Sequence, residues 1–222
     1  MNPIHIGDPL GKLNADCIVF DLDGTLIDSV KGIHRCVRHV LTKRGYRLFD
    51  EEFLSKSIGV HPIDAIFQRT VKKREVEACV KEFKQMYART LTQDVILLDG
   101  AKETLDALVE DGYKIAVYTL KMKNHALKVL NHFSIKVDGI LAGDEIGADK
   151  SSGRGLRELL RRLNSRPARS VIVGDQWSDI SAGKKAGMKT VAVLSGMGTF
   201  EELNRFEPDY LIGRISDLTM IL

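Results

Sequence analysis

The sequence predicts an α/β domain, doubly wound around a mostly parallel sheet, with a helical segment inserted after the first core strand. Short apolar runs bounded by glycine or polar residues recur along the chain, and from residue 95 onward they alternate with helical patterns. Residues 30 to 93 break that alternation, carrying two amphipathic patterns and no convincing strand. At 222 residues, with 44% hydrophobic and 28% charged residues, the chain has the length and composition of one folded domain with an insertion rather than of a disordered protein.

The first strand is predicted over Cys17 to Phe20, following a short N-terminal tail over residues 1–16. Its unbroken apolarity suits a strand covered on both faces better than a half-exposed hairpin. Val30, Ile33, Val37, Val40 and Leu41 then recur at helical spacing, as do Val76, Val80, Phe83 and Tyr87, which places a helical unit at 30–93. The α/β core would comprise 17–29 and 94–222. In it, Ala101 to Asp111 groups Leu105, Leu108 and Val109 on one stripe, and Gly112 supplies the left-handed residue that ends a helix. Strand Ile115 to Thr119 follows directly. A helix over 122–131 groups Met122, Ala126, Val129 and Leu130, and strand Ile140 to Ala142 comes next. Leu156, Leu159, Leu160 and Leu163 mark another helix, with Arg157, Arg161 and Arg162 on the opposite face. Strand Ser170 to Val173, a short helix capped by Ser178 and ending at Gly187, and strands Thr190 to Leu194 and Tyr210 to Ile212 complete the domain.

Composition narrows the function. Thirty-three basic against thirty acidic residues leave a net charge of +3, too small a field to imply nucleic acid or an anionic membrane as partner. The basic groups at Lys72, Lys73 and Arg74, and between Arg154 and Arg169, read as solvated helix faces. Cys17, Cys36 and Cys79 cannot all pair and show no Cys-x-x-Cys spacing, so buried free thiols in a reducing cytoplasm are expected. No apolar run approaches bilayer length, and residues 1–16 lack the apolar centre of a signal peptide.

Chemistry concentrates where strands end. The first strand runs into Asp21-Leu22-Asp23-Gly24-Thr25, and in an open α/β sheet the carboxyl ends of strands form the ligand crevice. Gly24 permits a sharp turn, and Thr25 adds a hydroxyl. Asp175 and Asp179 follow another apolar strand. Carboxylates gathered at one place repel by about 4 kcal/mol per pair at 4 Å and an effective dielectric constant near 20, so a cation must compensate. An all-oxygen donor set suits Mg²⁺. Thr119 could donate to a phosphoryl oxygen, and Lys150 could supply a fixed positive charge.

These residues, in the order Asp21-x-Asp23-Gly24-Thr25, Thr119, Lys150 and Gly174-Asp175-x-x-x-Asp179, resemble the four motifs of the haloacid dehalogenase-like superfamily. More narrowly, the chain is similar to phosphoglycolate phosphatase-like members, which carry a small helical cap on a Rossmann-like core. Two details depart from the common pattern: Leu120 follows Thr119 where Asn is frequent, and Lys150-Ser151-Ser152-Gly153 stands where Lys-Pro-x-Pro is frequent. Lys121, two residues past the strand end, is the less favoured substitute for Lys150.

The resemblance implies a Mg²⁺-dependent phosphoric monoester hydrolase acting on a small phosphorylated metabolite, phosphoglycolate-like or a sugar phosphate. Asp21 would be the nucleophile and Asp23 the acid and then the base. Asp21, the backbone carbonyl of Asp23, Asp175 and Asp179 would hold the metal, while Thr119 and Lys150 would steady the transferring group. Gly24 and Thr25 would adjoin the substrate, and Ser57-Ile58-Gly59-Val60-His61-Pro62 resembles a substrate-specificity loop in which His61 would contact it. Asp28 and Ser29 are read as opening the hinge of the cap, with a second hinge near 93–99. The alternatives are a phosphomutase of the β-phosphoglucomutase type and a regulatory binding protein that kept the fold without turnover. A monomer or homodimer is expected.

Overall fold

The computed structural model describes residues 4–5, 12–47, 51–146 and 149–222; part of the predicted tail therefore lies outside the described residues. In chain order the elements are β1 (Ile4–His5), β2 (Cys17–Phe20), β3 (Ile27–Asp28), α1 (Val30–Lys43), α2 (Glu51–Ser57), α3 (Ile63–Thr70) and α4 (Val76–Thr90). Then follow β4 (Ile96–Leu97), α5 (Ala101–Glu110), β5 (Lys114–Tyr118), α6 (Lys123–His132), β6 (Gly139–Leu141), α7 (Gly143–Ile146) and α8 (Arg154–Arg162). The chain finishes with β7 (Ser170–Gly174), α9 (Trp177–Ala186), β8 (Lys189–Val193), α10 (Phe200–Asn204) and β9 (Tyr210–Ile212).

The seven-stranded sheet has the order β1-β9-β8-β7-β2-β5-β6. Every pairing is parallel except the antiparallel edge between β1 and β9, so Ile4 and His5 close one side of the sheet against Leu211 and Tyr210. The α/β, Rossmann-like class expected from the sequence is the one observed. Strand β2 lies at the centre, with Phe20 level with Val117 of β5 on one side and Val173 of β7 on the other. The strand order turns around beside β2, which is where doubly wound sheets open a crevice at their carboxyl edge.

Residues of β2 alternate between two cores. Ile18 and Phe20 join Leu105 and Leu108 of α5 and Val129 and Leu130 of α6; Cys17 and Val19 join Leu156, Leu159 and Leu160 of α8 and Ala182 of α9. Covering on both faces is the reason the strands read as unbroken apolar runs. Val109, placed by periodicity on the buried stripe of α5, is instead 53% exposed. The buried face of α5 is made by Ala101, Thr104, Leu105 and Leu108. Replacing Leu156, fully buried against the sheet, with alanine is expected to cost about 2–5 kcal/mol in urea unfolding at unchanged m-value. A loss below about 1 kcal/mol would mean that α8 is not packed as described.

Between β3 and β4 the described residues form four α-helices rather than the two legible as patterns. The additional α2 and α3 are seven and eight residues long, too short to repeat a period convincingly. The chain leaves and re-enters this helical unit through β3 and β4, which pair antiparallel with Ile27 opposite Leu97. The segments expected to hinge are thus tied together as a two-stranded ribbon. The three cysteines are buried free thiols, and no helix among the described residues is long and apolar enough to cross a membrane.

Candidate active site

Asp21 emerges from the end of β2 with its amide donating to the carbonyl of Val173 at 2.9 Å, which fixes the first acid beside the end of β7. Gly24, at φ +92°, turns the chain back so that its amide donates to Ile27. A Cβ on Gly24 would stand 2.3 Å from Oδ2 of Asp175, so this turn requires glycine for space as well as for conformation. Thr25 is fully buried, and its hydroxyl donates to Oδ1 of Asp175 at 2.9 Å; the contact orients a second acid. Oδ2 of Asp175 accepts from the amide of Met197 at 2.9 Å.

Asp179 stands one turn into α9, where Oδ2 accepts from the Gln176 amide at 3.2 Å. Gln176 and Asp179 form a reciprocal capping box, so the helix starts one residue before Ser178 and is not capped by it. The expected stop is observed, with Gly187 left-handed at φ +80°. The same box that starts the helix aims Asp179 at the strand tips.

Ligand atoms from Asp21, Asp175 and Asp179 all lie within 4.8 Å of one another, and each residue is buried. Lys150 joins them, its Nζ 2.8 Å from Oδ1 of Asp21 and 2.7 Å from Oδ1 of Asp179. Its position is set by the Tyr118 hydroxyl, which donates to the Lys150 carbonyl at 2.8 Å. Burial works against the lysine's charge, yet Asp179 and Asp21 hold its pKa above the ordinary value. Burial also drives Asp21 well above the usual carboxylate range; Lys150 opposes that shift, and Asp179 and Asp175 reinforce it. Asp175 is pushed up to about 7 by burial and then by Asp179.

Three buried acids therefore crowd together with one ammonium paired to two of them. Oδ2 of Asp21 has no hydrogen-bond partner although it is buried. A Cβ built on Gly59 would lie 3.5 Å from that oxygen and 3.7 Å from the Asp23 backbone oxygen, so both oxygens face the same space beneath the 57–62 loop. An orphaned carboxylate oxygen, two neighbouring carboxylates and a backbone oxygen form a hard donor set with excess negative charge. That set fits Mg²⁺.

Asp23 has a separate environment. Its Oδ1 accepts from Lys121 Nζ at 2.7 Å and from the hydroxyl of Ser29, and Lys121 also donates to the Tyr87 hydroxyl at 2.9 Å. Burial opposes charge on Lys121, but Asp23 and Tyr87 keep its pKa raised. A core acid, a residue beside β5 and an aromatic from α4 thus form one buried chain. The sequence reading named Lys121 only as the less favoured substitute for Lys150 and gave Ser29 a hinge role only. The available signal was a lysine between Leu120 and Met122, directly past a buried strand.

Thr119 is buried at the end of β5, where its hydroxyl accepts from the Lys121 amide at 3.2 Å. His61 is exposed and lines a cavity of about 420 Å³ together with Asp23, Gly59 and Lys121. The structure thus gathers Asp21, Asp175, Asp179 and Lys150 into one cluster. Asp23 has a separate set of partners and lines the cavity, as does His61.

The sequence profile of haloacid dehalogenase-like hydrolases matches residues 18–193. A phosphoglycolate phosphatase from Aquifex aeolicus is 34% identical over 210 residues, spanning 92% of this chain and 95% of that protein. A pyrophosphatase PpaX from Bacillus velezensis is 30% identical over 207 residues, spanning 92% and 94%. In fold, a haloacid dehalogenase-like family hydrolase from Streptococcus pneumoniae superposes with a TM-score of 0.85 at 22% identity, covering 93% of this chain and 98% of that one.

Proposed function

The chain belongs to the haloacid dehalogenase-like hydrolase family, and we propose that this phosphatase is Mg²⁺-dependent, acts in the cytoplasm and hydrolyses a small phosphorylated metabolite through an aspartyl-phosphate. The observation that carries this reading is the division of labour between two acids two residues apart. Asp21 keeps one oxygen unpartnered beside the other carboxylates, while Asp23 is held away from them by Lys121 and Ser29.

In this reading the Asp21 carboxylate attacks phosphorus as the ester P–O bond breaks, and Asp23 gives its proton to the departing alcohol oxygen. Asp23 then takes a proton from water, whose oxygen attacks the phosphoryl group. The bond to Asp21 breaks, and inorganic phosphate and the free carboxylate are restored. Lys150 is ion-paired with Oδ1 of Asp21 and fixes the orientation of the carboxylate. Asp21, Asp175, Asp179 and the Asp23 carbonyl would hold Mg²⁺, which when bound offsets negative charge on the transferring group. Thr25 and the Met197 amide keep Asp175 in place for that task. Thr119 would donate to a phosphoryl oxygen. The helical unit α1–α4 would act as a cap, its 57–62 loop excluding water and presenting His61 to the substrate.

Turnover of p-nitrophenyl phosphate by the purified protein tests the reading. Chelation of divalent metal is expected to lower the rate by at least about 100-fold, and Mg²⁺ to restore it. Undiminished turnover in excess chelator would exclude the metal-dependent scheme. Product analysis on hexose phosphates separates a hydrolase from a mutase, since the former releases phosphate without isomerised sugar phosphate.

A further inference from the structure

The cavity beside Asp23 narrows the substrate. We infer that this phosphatase acts on monoesters whose organic group is ring-sized, predominantly apolar and without a second anionic group. The inference rests on the phosphatase reading above and deepens it. It departs from the phosphoglycolate and pyrophosphate in the names of the two relatives.

The position of the cavity is the first argument. It is lined by Asp23 and not by Asp21, and Asp23 is the acid assigned to the departing oxygen, so the space on its side receives the organic group. Its volume is the second. About 420 Å³ is far more space than a two-carbon acid or a second phosphate would fill.

The lining is the third argument. Ile33, Ile58, Ile66, Val80, Phe83 and Met122 contribute apolar wall from α1, the 57–62 loop, α3, α4 and the end of the β5–α6 connection. Phe83 stacks on Tyr87 with ring centroids 5.3 Å apart, and Tyr87 meets His125 edge-on at 5.6 Å, so one wall is a continuous aromatic surface.

Charge supplies the fourth. Among the described residues lining the cavity, those able to carry positive charge are His61, Lys84, Lys121 and His125. Lys121 is committed to Asp23 and the Tyr87 hydroxyl. Burial and then Lys121 hold the pKa of His125 below its ordinary value, favouring the neutral ring. His61 and Lys84 are exposed to water, where their fields are screened. A carboxylate or second phosphate carried into this cavity would be desolvated among apolar side chains without a dedicated cation, whereas an uncharged ring would be covered on several sides.

Binding to the Asp21→Asn protein, which should bind esters without turning them over, measures the preference directly. With Mg²⁺ present, calorimetric titration is expected to show 1-naphthyl phosphate binding at least tenfold more tightly than 2-phosphoglycolate or inorganic pyrophosphate. Adding Ile63→Lys, which places an ammonium on the cavity wall, should weaken 1-naphthyl phosphate and strengthen 2-phosphoglycolate, each by about tenfold. If that change prevents folding, Val80→Thr should weaken 1-naphthyl phosphate alone. Equal or tighter binding of 2-phosphoglycolate or pyrophosphate would overturn the inference, as would failure of all three ligands to bind a protein whose parent hydrolyses p-nitrophenyl phosphate. Preferential binding of 1-naphthyl phosphate in a protein that turns over no ester would keep the assigned cavity and remove the phosphatase reading instead.

Discussion

Replacing Asp21 with asparagine is expected to lower kcat by at least about 10⁴-fold while raising the stability of the metal-free protein. The two effects share one cause. The carboxamide keeps the shape of the side chain and an oxygen facing Lys150, but it cannot form the acyl-phosphate. It also removes one of three buried carboxylates that repel one another. Burial, opposed by Lys150 and reinforced by Asp179 and Asp175, places the Asp21 acid well above its ordinary range, so its ionised form is disfavoured where it stands. Steady-state kinetics and thermal melts in chelator read the two effects separately. Retention of more than about 1% of turnover would remove Asp21 as nucleophile, and a lowered melting temperature would contradict the picture of crowded carboxylates.

Lys150→Met should have the opposite effect on the fold while also damaging the chemistry. The lysine is buried and ion-paired to Asp21 and Asp179, so its removal leaves both acids without their cation. Breaking a buried pair from one side typically costs about 3–5 kcal/mol, larger than the value of the pair itself, because the partner charge stays behind. Urea unfolding at neutral pH is expected to show a loss of that size, and adding Asp179→Asn should recover part of it. Turnover should fall by about 10²–10³-fold through loss of a fixed charge beside the transferring group. A stability loss below about 1 kcal/mol, or no recovery in the double variant, would mean that the three side chains are not joined as described.

These two expectations show why part of the site could be read directly. Asp21 and Asp175 each follow an unbroken apolar strand, and such a strand in a doubly wound sheet has its carboxyl end at the crevice. Local sequence therefore placed both acids. Asp179 was legible for the same reason, since four residues after Asp175 is one turn into the next helix. Gly112 and Gly187 ended helices as expected, because a left-handed residue is a local requirement of the backbone.

Other features depend on contacts that no local signature announces. Lys121 finds Asp23 at a separation of 98 residues and Tyr87 at 34, so neither its own sequence neighbourhood nor the period of α4 announces the chain they form. Thr25 was read toward the substrate, but only the approach of β7 to β2 brings Asp175 within reach of its hydroxyl. Helices α2 and α3 were missed because seven and eight residues are too few to repeat a period, and only the tertiary structure sets α2 against α1 and α3 against α4.

The sequence by itself determined the alternation of strand and helix, the interruption by a helical unit, and the acids at the strand tips. Each follows from periodicity or from a backbone rule that acts within a few residues. The tertiary structure alone decided which acid keeps a vacant oxygen, which is tied to a lysine, and that an apolar chamber opens beside the second. Those outcomes depend on side chains from distant segments meeting in a buried space, where each charge is stabilised or penalised by whatever the fold has placed next to it.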